Sequence, residues 1–575
     1  MATKWGVARW GTFRWGGSVE FSALLDRKDG VHPRRRITLK LDSGDVDLTP
    51  YLISASAVYQ EKERAPDRMA AGDATMVFSN YNGAFTETNT SSLLYNKKYH
   101  NRNIVFELGI ELASGTVEYI KVSTMKIRSV SFSVNNSRVT FRVYDQVRRL
   151  LTETLNRRPD TMIPVAGAAN VGNGKCSEID IRPFVNVAQS WTLTCTLGGG
   201  DSTATFSVVG SVSGNIGTAT SGTEFLNATT GGIKFTINTG ATVWSLNDAF
   251  TFSTVKMMEF NVVNPVKILW SILTGTNFDT GAAEAWQDRT PQLNSTRNSS
   301  NPDLLYDAFS IAATNLTFTM KGFVPWDSDL VKIAENIVLH FLGSLNVDGV
   351  GRLYVKSFKP GLADTPSRTF SDVKKNITMS LTRDLNDMVN WVNFRYRKKD
   401  IWPWDDDEGD SLLDGLLIQK SQTSFDDYDQ WFTLNLKSFW YHASAAHVSF
   451  AAQRIVDKYG TPPNVFRART GLDGIDVEIG DIVSVTDAKL GYTDYQVEVV
   501  KKEGAYEKPP ILVDLALDDT LTAGFTWAFL GSLSNEGDGL SPQAATWDTA
   551  TTANKLFCYI GQTAGGAGTP LFYLF

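Results

Sequence analysis

The 575-residue sequence is 42% hydrophobic and 20% charged, a balance that supports several packed cores and excludes a disordered chain. Its net charge of -7 and isoelectric point near 5.5 argue against a dedicated nucleic-acid binder, which carries a basic excess. No apolar run reaches membrane-spanning length, so no membrane span is expected.

The chain opens on "MATKWGVARWGTFRWGG", in which Lys4-Trp5-Gly6, Arg9-Trp10-Gly11 and Arg14-Trp15-Gly16 repeat a small unit every five residues. This lacks the long apolar stretch of a signal peptide, so folding in a cytoplasm is expected. A helix would scatter the three tryptophans around its axis, and the glycines would weaken it. Residues 1–36 therefore read as an extended arm, with Trp5, Trp10 and Trp15 as anchors for a neighbouring surface; a poorly ordered terminus is the competing reading. The three cysteines, Cys176, Cys195 and Cys558, show neither CxxC nor CxH spacing and read as buried free thiols.

From 37 to 151 the pattern is almost wholly strand. "ITLKL", "DLTPYLISASAVYQEKE", "NIVFELGIEL", "VEYIKVSTMKIRSVSFSV" and "SRVTFRVYDQVRRLL" alternate with period two between turn signals such as Asp42-Ser43-Gly44 and Asn135-Asn136. Strands at this spacing predict a small antiparallel barrel or sandwich. The most telling stretch is "AGDATMVFSNYNGAFTETNTSSLLY", residues 71–95. Thr75, Val77 and Ser79 alternate against Met76 and Phe78, and the strand then stops at the tight-turn pair Asn82-Gly83. Nothing in it can serve as nucleophile, base or metal cage.

These strands resemble the first domain of tailed-phage baseplate hub and tail tip proteins. In that family the segment runs Ala-Gly, alternating strand, Asn-x-x-Gly, Phe and a polar loop, and Ala71, Gly72, Asn80, Gly83 and Phe85 occupy those places here. The closing strands and the Asp-containing exit "RVTFRVYDQVRRLL" look similar as well. The resemblance makes the segment scaffold, one strand and corner of a ring-forming barrel; an unrelated β-domain with a hairpin is the alternative.

Residues 152–256 read as a linker and an inserted β-sandwich. Ser177 to about Thr254 is rich in Gly, Thr and Ser, with short strands and Gly turns. Trp191 or Trp244 could stack on a sugar, although a strand tryptophan more often packs inward. Residues 257–370 switch to helical signals. "NPVKILWSILTG" places Asn264 as N-cap, Pro265 at the first turn and Gly275 as stop, and "NPDLLYDAFSIAA" is expected to start in the same way. "WDSDLVKIAENIVLHFLGSLNVDGVGRLYVKSFKP" reads as a capped amphipathic helix followed by a hairpin. Helix then hairpin resembles the second domain of the hub family.

Residues 371–520 are expected to form a second hub barrel with an accessory helix. "NITMSLTRDLNDMVNWVNFRYRKK" looks like the strand–link–strand that re-enters the tube. "ASAAHVSFAAQRIVDKYGTPPNVFRART" is a helix stopped by Gly460 and a proline pair. Val477 to Thr486, with Gly480-Asp481 turning between strands, is very like the last hub barrel. Residues 521–575 form a short-stranded tail. The fold class expected is therefore mainly β (a β-rich α+β fold), with two tube-type barrels, a helix-containing domain between them and an inserted sandwich.

No catalytic constellation emerges. The five histidines fit no HExxH, and no G-x-S-x-G, P-loop or GxGxxG opens a helix. Asp405, Asp406, Asp407, Glu408 and Asp410 crowd one loop, but a calcium loop needs oxygens at alternate positions, so a solvated acidic loop fits better. No enzyme, cofactor or metal is expected. The resemblance implies a homotrimer in the virion, at the distal tail. Its implied partners are the distal tail protein ring, the tape measure protein, other tail tip or fibre proteins, and phage DNA passing through the lumen. The alternative is a receptor-binding or cell-wall-degrading tail protein with a carbohydrate site in the inserted sandwich.

Overall fold

A computed structural model describes residues 33–561 except 57, 62–71, 151–152, 298–301, 317, 357–365, 372–376, 398–414, 442–444, 506–511, 520–525, 530–542 and 545–557. Trp5, Trp10, Trp15, Ala71 and the acidic loop around Asp405 lie outside the described residues. The protein is mainly β.

Eight strands come first: β1 (Arg34–Leu41), β2 (Gly44–Asp47), β3 (Leu52–Ala55), β4 (Val58–Glu61), β5 (Asp73–Ser79), β6 (Asn103–Glu111), β7 (Val117–Phe132) and β8 (Arg138–Tyr144). All but β4 form one antiparallel sheet in the order β2-β1-β6-β7-β8-β5-β3. The period-two pattern explains its inner face: Ala74, Met76 and Phe78 of β5 are buried against Val139, Phe141 and Val143 of β8. Helix α1 (Gln146–Leu150) and β9 (Thr154–Leu155) lead out of the sheet.

Nine short strands follow: β10 (Val165–Ala166), β11 (Lys175–Cys176), β12 (Asp180–Ile181), β13 (Gln189–Leu197), β14 (Thr205–Gly210), β15 (Gly214–Thr220), β16 (Glu224–Asn227), β17 (Ile233–Asn238) and β18 (Ala249–Thr254). They make two sheets, β10-β18-β13-β14-β15 and a smaller one around β17, which share one apolar core. Trp191 and Trp244 both lie inside that core, packed on Phe252 and on Phe206 and Phe250 respectively. Neither indole has a face free to stack on a sugar.

The chain continues through β19 (Glu259–Val263), α2 (Pro265–Thr274), α3 (Tyr306–Asn315), β20 (Met320–Phe323), β21 (Ser328–Asp329), α4 (Leu330–Leu339), β22 (Ser344–Val347) and β23 (Leu353–Lys356). Helix α2 begins where Asn264 accepts a hydrogen bond from the Val266 amide, and it ends at Gly275, whose φ is +69°. Helix α3 departs from expectation. It starts at Tyr306 rather than at Pro302, without a side-chain cap, because Leu304 is held in β-bridges to Ser295 and Leu353. Tertiary pairing overrides the Asn-Pro start signal.

Last come β24 (Thr369–Ser371), β25 (Thr378–Thr382), β26 (Trp391–Arg397), β27 (Gly415–Lys420), α5 (Gln422–Tyr428), β28 (Thr433–Tyr441), α6 (Ala445–Tyr459), β29 (Val465–Thr470), β30 (Ile482–Asp487), β31 (Tyr492–Ala505) and β32 (Leu512–Asp519). A second large sheet runs β24-β30-β31-β32-β29-β25, and β4 of the first part of the chain pairs onto β31. The "NITMSLTRDLNDMVNWVNFRYRKK" segment corrects the expectation of two strands in one barrel. Strand β25 belongs to this sheet, but β26 joins β19-β20-β28-β26-β27, where it pairs in parallel with β28 and is covered by α6. The hydrophobic face of α6 needs a partner sheet, and β26 with Val392, Phe394 and Tyr396 supplies it. Three short strands between 526 and 561 pair only with one another.

The two large sheets are a tandem repeat in register. β6-β7-β8-β5-β3 corresponds to β30-β31-β32-β29-β25. Asn103 opposite Lys126 matches Ile482 opposite Glu498, and Phe132 opposite Val139 matches Gly504 opposite Val513. Both long strands carry an irregularity at the same place, between Ile127 and Ser129 in β7 and between Val499 and Lys501 in β31. Among the described residues each sheet is an open path of strands, not a ring closed on itself. One continuous apolar cluster runs through both, from Ile37 to Leu517.

Candidate functional site

Two corners carry the family-like residues. At the first, Asn80 is buried at the end of β5. Its Oδ1 accepts the Phe85 amide at 2.8 Å and its Nδ2 donates to the Asn136 carbonyl at 2.8 Å, so one side chain pins the corner to the β7–β8 turn. Asn82 and Gly83 both take positive φ, 60° and 69°, as the turn chemistry requires. The turn delivers Phe85 into the sheet, where its ring meets Tyr51, Phe78 and Phe141 with centroids 5.4, 5.6 and 5.8 Å away. Behind it, the Gly72 amide donates to Asp145 Oδ2 at 2.6 Å and the Arg148 amide to Oδ1 at 2.9 Å. Burial pushes the Asp145 carboxyl up to about 6, opposed by these backbone donors and by the Arg148 charge.

At the second corner Gly480 has φ +78°. Its amide donates to the Val499 carbonyl at 2.6 Å, and the Asp481 carbonyl accepts from Val499 N at 2.9 Å. The repeat explains this turn. In the first sheet Asn101, with φ 60°, donates to the Ile127 carbonyl at 2.9 Å and Arg102 O accepts from Ile127 N at 3.0 Å. Asn101-Arg102 and Gly480-Asp481 are thus the same device at the same place, and both start the strand that follows.

The β22–β23 hairpin wedges between the two sheets. On one side Thr124 of β7 donates its hydroxyl to the Gly349 carbonyl at 3.1 Å. On the other, the buried Tyr354 hydroxyl donates to Ile479 O at 2.7 Å, and Lys356 Nζ reaches both Gly480 O and the Asp481 carboxylate. Asp348 folds the hairpin tip by accepting Val350 N and Arg352 N at 3.0 and 2.8 Å and pairing with the Arg352 guanidinium. Lys502, wholly buried on β31, donates to Ile475 O and Val477 O at 2.6 and 2.7 Å. Burial lowers its ammonium to about 8, against the pull of Glu478, Asp476 and Asp481. Asp476 in turn holds Arg368 through a two-pronged pair.

These charges face one another rather than an open cleft. Groups committed to protein partners fix geometry, so the arrangement is a joint: two sheets, one hairpin wedge and the β4–β31 crossing. Among the described residues no cluster of three or more His, Cys, Asp or Glu could hold a metal. No helix among them is long and apolar enough to cross a membrane.

Of the residues singled out from the sequence, Asn80, Gly83 and Phe85 meet at one corner and Gly72 lies behind them, while Gly480 and Asp481 sit at the other. The wedge residues Thr124, Tyr354 and Lys356 and the buried Lys502 escaped the sequence reading. Lys502 did leave a signal: Lys501-Lys502 are consecutive in a strand, so one of them must point inward. The pairing of Tyr354 with Ile479 across 125 residues left none.

No family model matches the sequence, and no curated protein matches it. Among solved structures the chain is similar to a tail protein from Neisseria meningitidis, at 10% identity over 84% of this chain and 96% of that one, with a TM-score of 0.39. It is also similar to a 43 kDa tail protein of prophage MuSo2 from Shewanella oneidensis, at 8% identity over 84% and 97% with a TM-score of 0.39. Prophage tail protein gp18 from Listeria monocytogenes gives 7% identity over 85% and 95%, again with a TM-score of 0.39. At these scores the likeness is loose and carries no argument for function.

Proposed function

We propose that the chain is a structural protein of a phage tail, the hub of the tail tip, which assembles as a homotrimeric ring at the distal end of the tail tube. The observation that carries this reading is the tandem repeat. One chain holds two sheets of the same strand order, joined side by side by β4 on β31 and wedged by one hairpin. Such a chain is two-sixths of a ring, and three copies place six equivalent sheets around an axis with closed rotational symmetry. The hub-like corner residues Gly72, Asn80, Gly83, Phe85, Gly480 and Asp481 support it by building that scaffold. On this reading the role is structural rather than catalytic. The partners are the distal tail ring, the tape measure protein, other tip or fibre proteins and DNA in transit.

Native mass spectrometry of the full-length protein tests the assembly. A stable trimer is expected; a dimer, a hexamer or a persistent monomer would sink the ring reading. The Trp5, Trp10 and Trp15 arm belongs to this proposal as a grip on a neighbour, and deleting residues before Ser18 should leave a folded chain that assembles poorly.

A further inference from the structure

The repeat has one place where its halves are unequal. Strand β31 is longer than its neighbour β30, and beyond Val499 it leaves a ledge on the β30 side. Strand β4 fills that ledge, with Lys501 opposite Glu61, Lys502 opposite Gln60, Glu503 opposite Tyr59 and Gly504 opposite Val58. In β7 the equivalent side is paired with β6 as far as Lys126, and the Ile127 backbone is met by Asn101 and Arg102. The register of the repeat then maps 501–504 onto Ser129–Phe132. Among the described residues nothing pairs with Ser129–Phe132 on that side. The outer end of this ledge is apolar: Phe132 is 39% exposed, Val134 108% and Tyr81 78%. Tyr81 belongs to the same rim, since the neighbouring Asn80 amide donates to Ser137 O in the β7–β8 turn.

We propose that the β7 ledge, Ser129–Phe132, is the docking site for a strand from the second sheet of another copy of this chain. The occupied ledge of β31 is the template. A strand leaving the edge β3 of the first sheet crosses to the second, so the corresponding edge β25 of the second sheet sends its continuation to the first sheet of the next copy. Each copy then accepts through β7 what it donates through β25, a head-to-tail contact that closes a ring when the rotation allows. An unpaired strand edge flanked by exposed aromatic and aliphatic side chains is otherwise an aggregation hazard, and coverage by a neighbour removes it. This inference rests on the ring reading above and names the contact that closes it.

The test is hydrogen exchange on the full-length protein, assembled and diluted to single chains, with mass measured in parallel. Amides of 129–132 should gain about ten-fold or more protection on assembly, whereas those of 501–504, already covered within the chain, should not change. The double variant Phe132→Asp with Val134→Asp alters only exposed side chains. It should keep the melting temperature of the single chain and lose the ring. A ring of unchanged mass in that variant, or assembled protein whose 129–132 amides exchange as fast as in the free chain, overturns the ledge while leaving the ring reading intact. Protection of 129–132 already present in the single chain assigns the ledge to this chain's own residues and overturns it as well. A chain that never assembles overturns both.

Discussion

Lys502 is an ammonium held in the protein interior by two carbonyls, and its lowered affinity for a proton makes a pH prediction. Below pH about 8 it is protonated in both the folded and the unfolded chain, and the cost of burying the charge is fully felt. Between about 8 and 10.5 the folded chain releases the proton that the unfolded chain still holds, so stability rises with pH. Denaturant unfolding of the wild type should gain about 3 kcal/mol over that window, and Lys502→Met should lose that slope. Parallel curves would show that the lysine is not desolvated. Gly480 permits a comparison that the repeat itself suggests. Its φ is +78° and its first-sheet counterpart is Asn101 at 60°. Gly480→Ala should therefore cost about 1–2 kcal/mol, and Gly480→Asn should cost less, because asparagine tolerates the left-handed region. Equal losses would mean that the Lys356 side chain, 3.1 Å from the added Cβ, sets the cost instead.

At the scale of elements, the β22–β23 hairpin joins the halves, and its tip glycine shows how tightly it is seated. Gly351 has φ +92°, and a Cβ there would lie 2.8 Å from the Cβ of Thr124 in the first sheet. Gly351→Val combines left-handed strain with overpacking and should destabilise by about 3 kcal/mol or more in thermal unfolding; a loss below about 1 kcal/mol would mean that the wedge can back away. Elements whose signals are local were legible in the sequence. The Asn264 cap, the Gly275 stop, Asp329 accepting the Val331 amide at the start of α4, and Gly460 after α6 act over one helical turn. Helix α3 and strand β26 were misread for one shared reason: a distant partner decides each. Leu304 is captured by Leu353, and β26 is captured by β28 and α6.

For the whole molecule, the inserted sandwich should be separable. The guanidinium of the buried Arg289 donates to Asn156 Oδ1 at 2.8 Å and to Lys256 O at 2.5 Å, so one side chain holds both ends of the insertion. The sandwich also has its own core around Trp191 and Trp244. Replacing 157–255 by a short Gly/Ser linker should leave a chain that folds and reaches the same oligomeric mass. Loss of assembly would place the sandwich in the ring contact. What the sequence determined by itself follows from short-range chemistry. Alternation made strands, Asn and Gly made turns, caps bounded helices, and the mainly β class came with them. The tertiary structure alone decided that residues 482–519 repeat 103–144 in register, that β4 crosses to the second sheet, and that Tyr354 and Lys356 close on Ile479 and Asp481. Strand pairing is made by backbone groups that every residue shares. Period-two alternation therefore says which side chains face inward but not which strand lies alongside. Asn101 and Gly480 perform one task with different side chains, so the repeat lies in the hydrogen bonds and not in the letters.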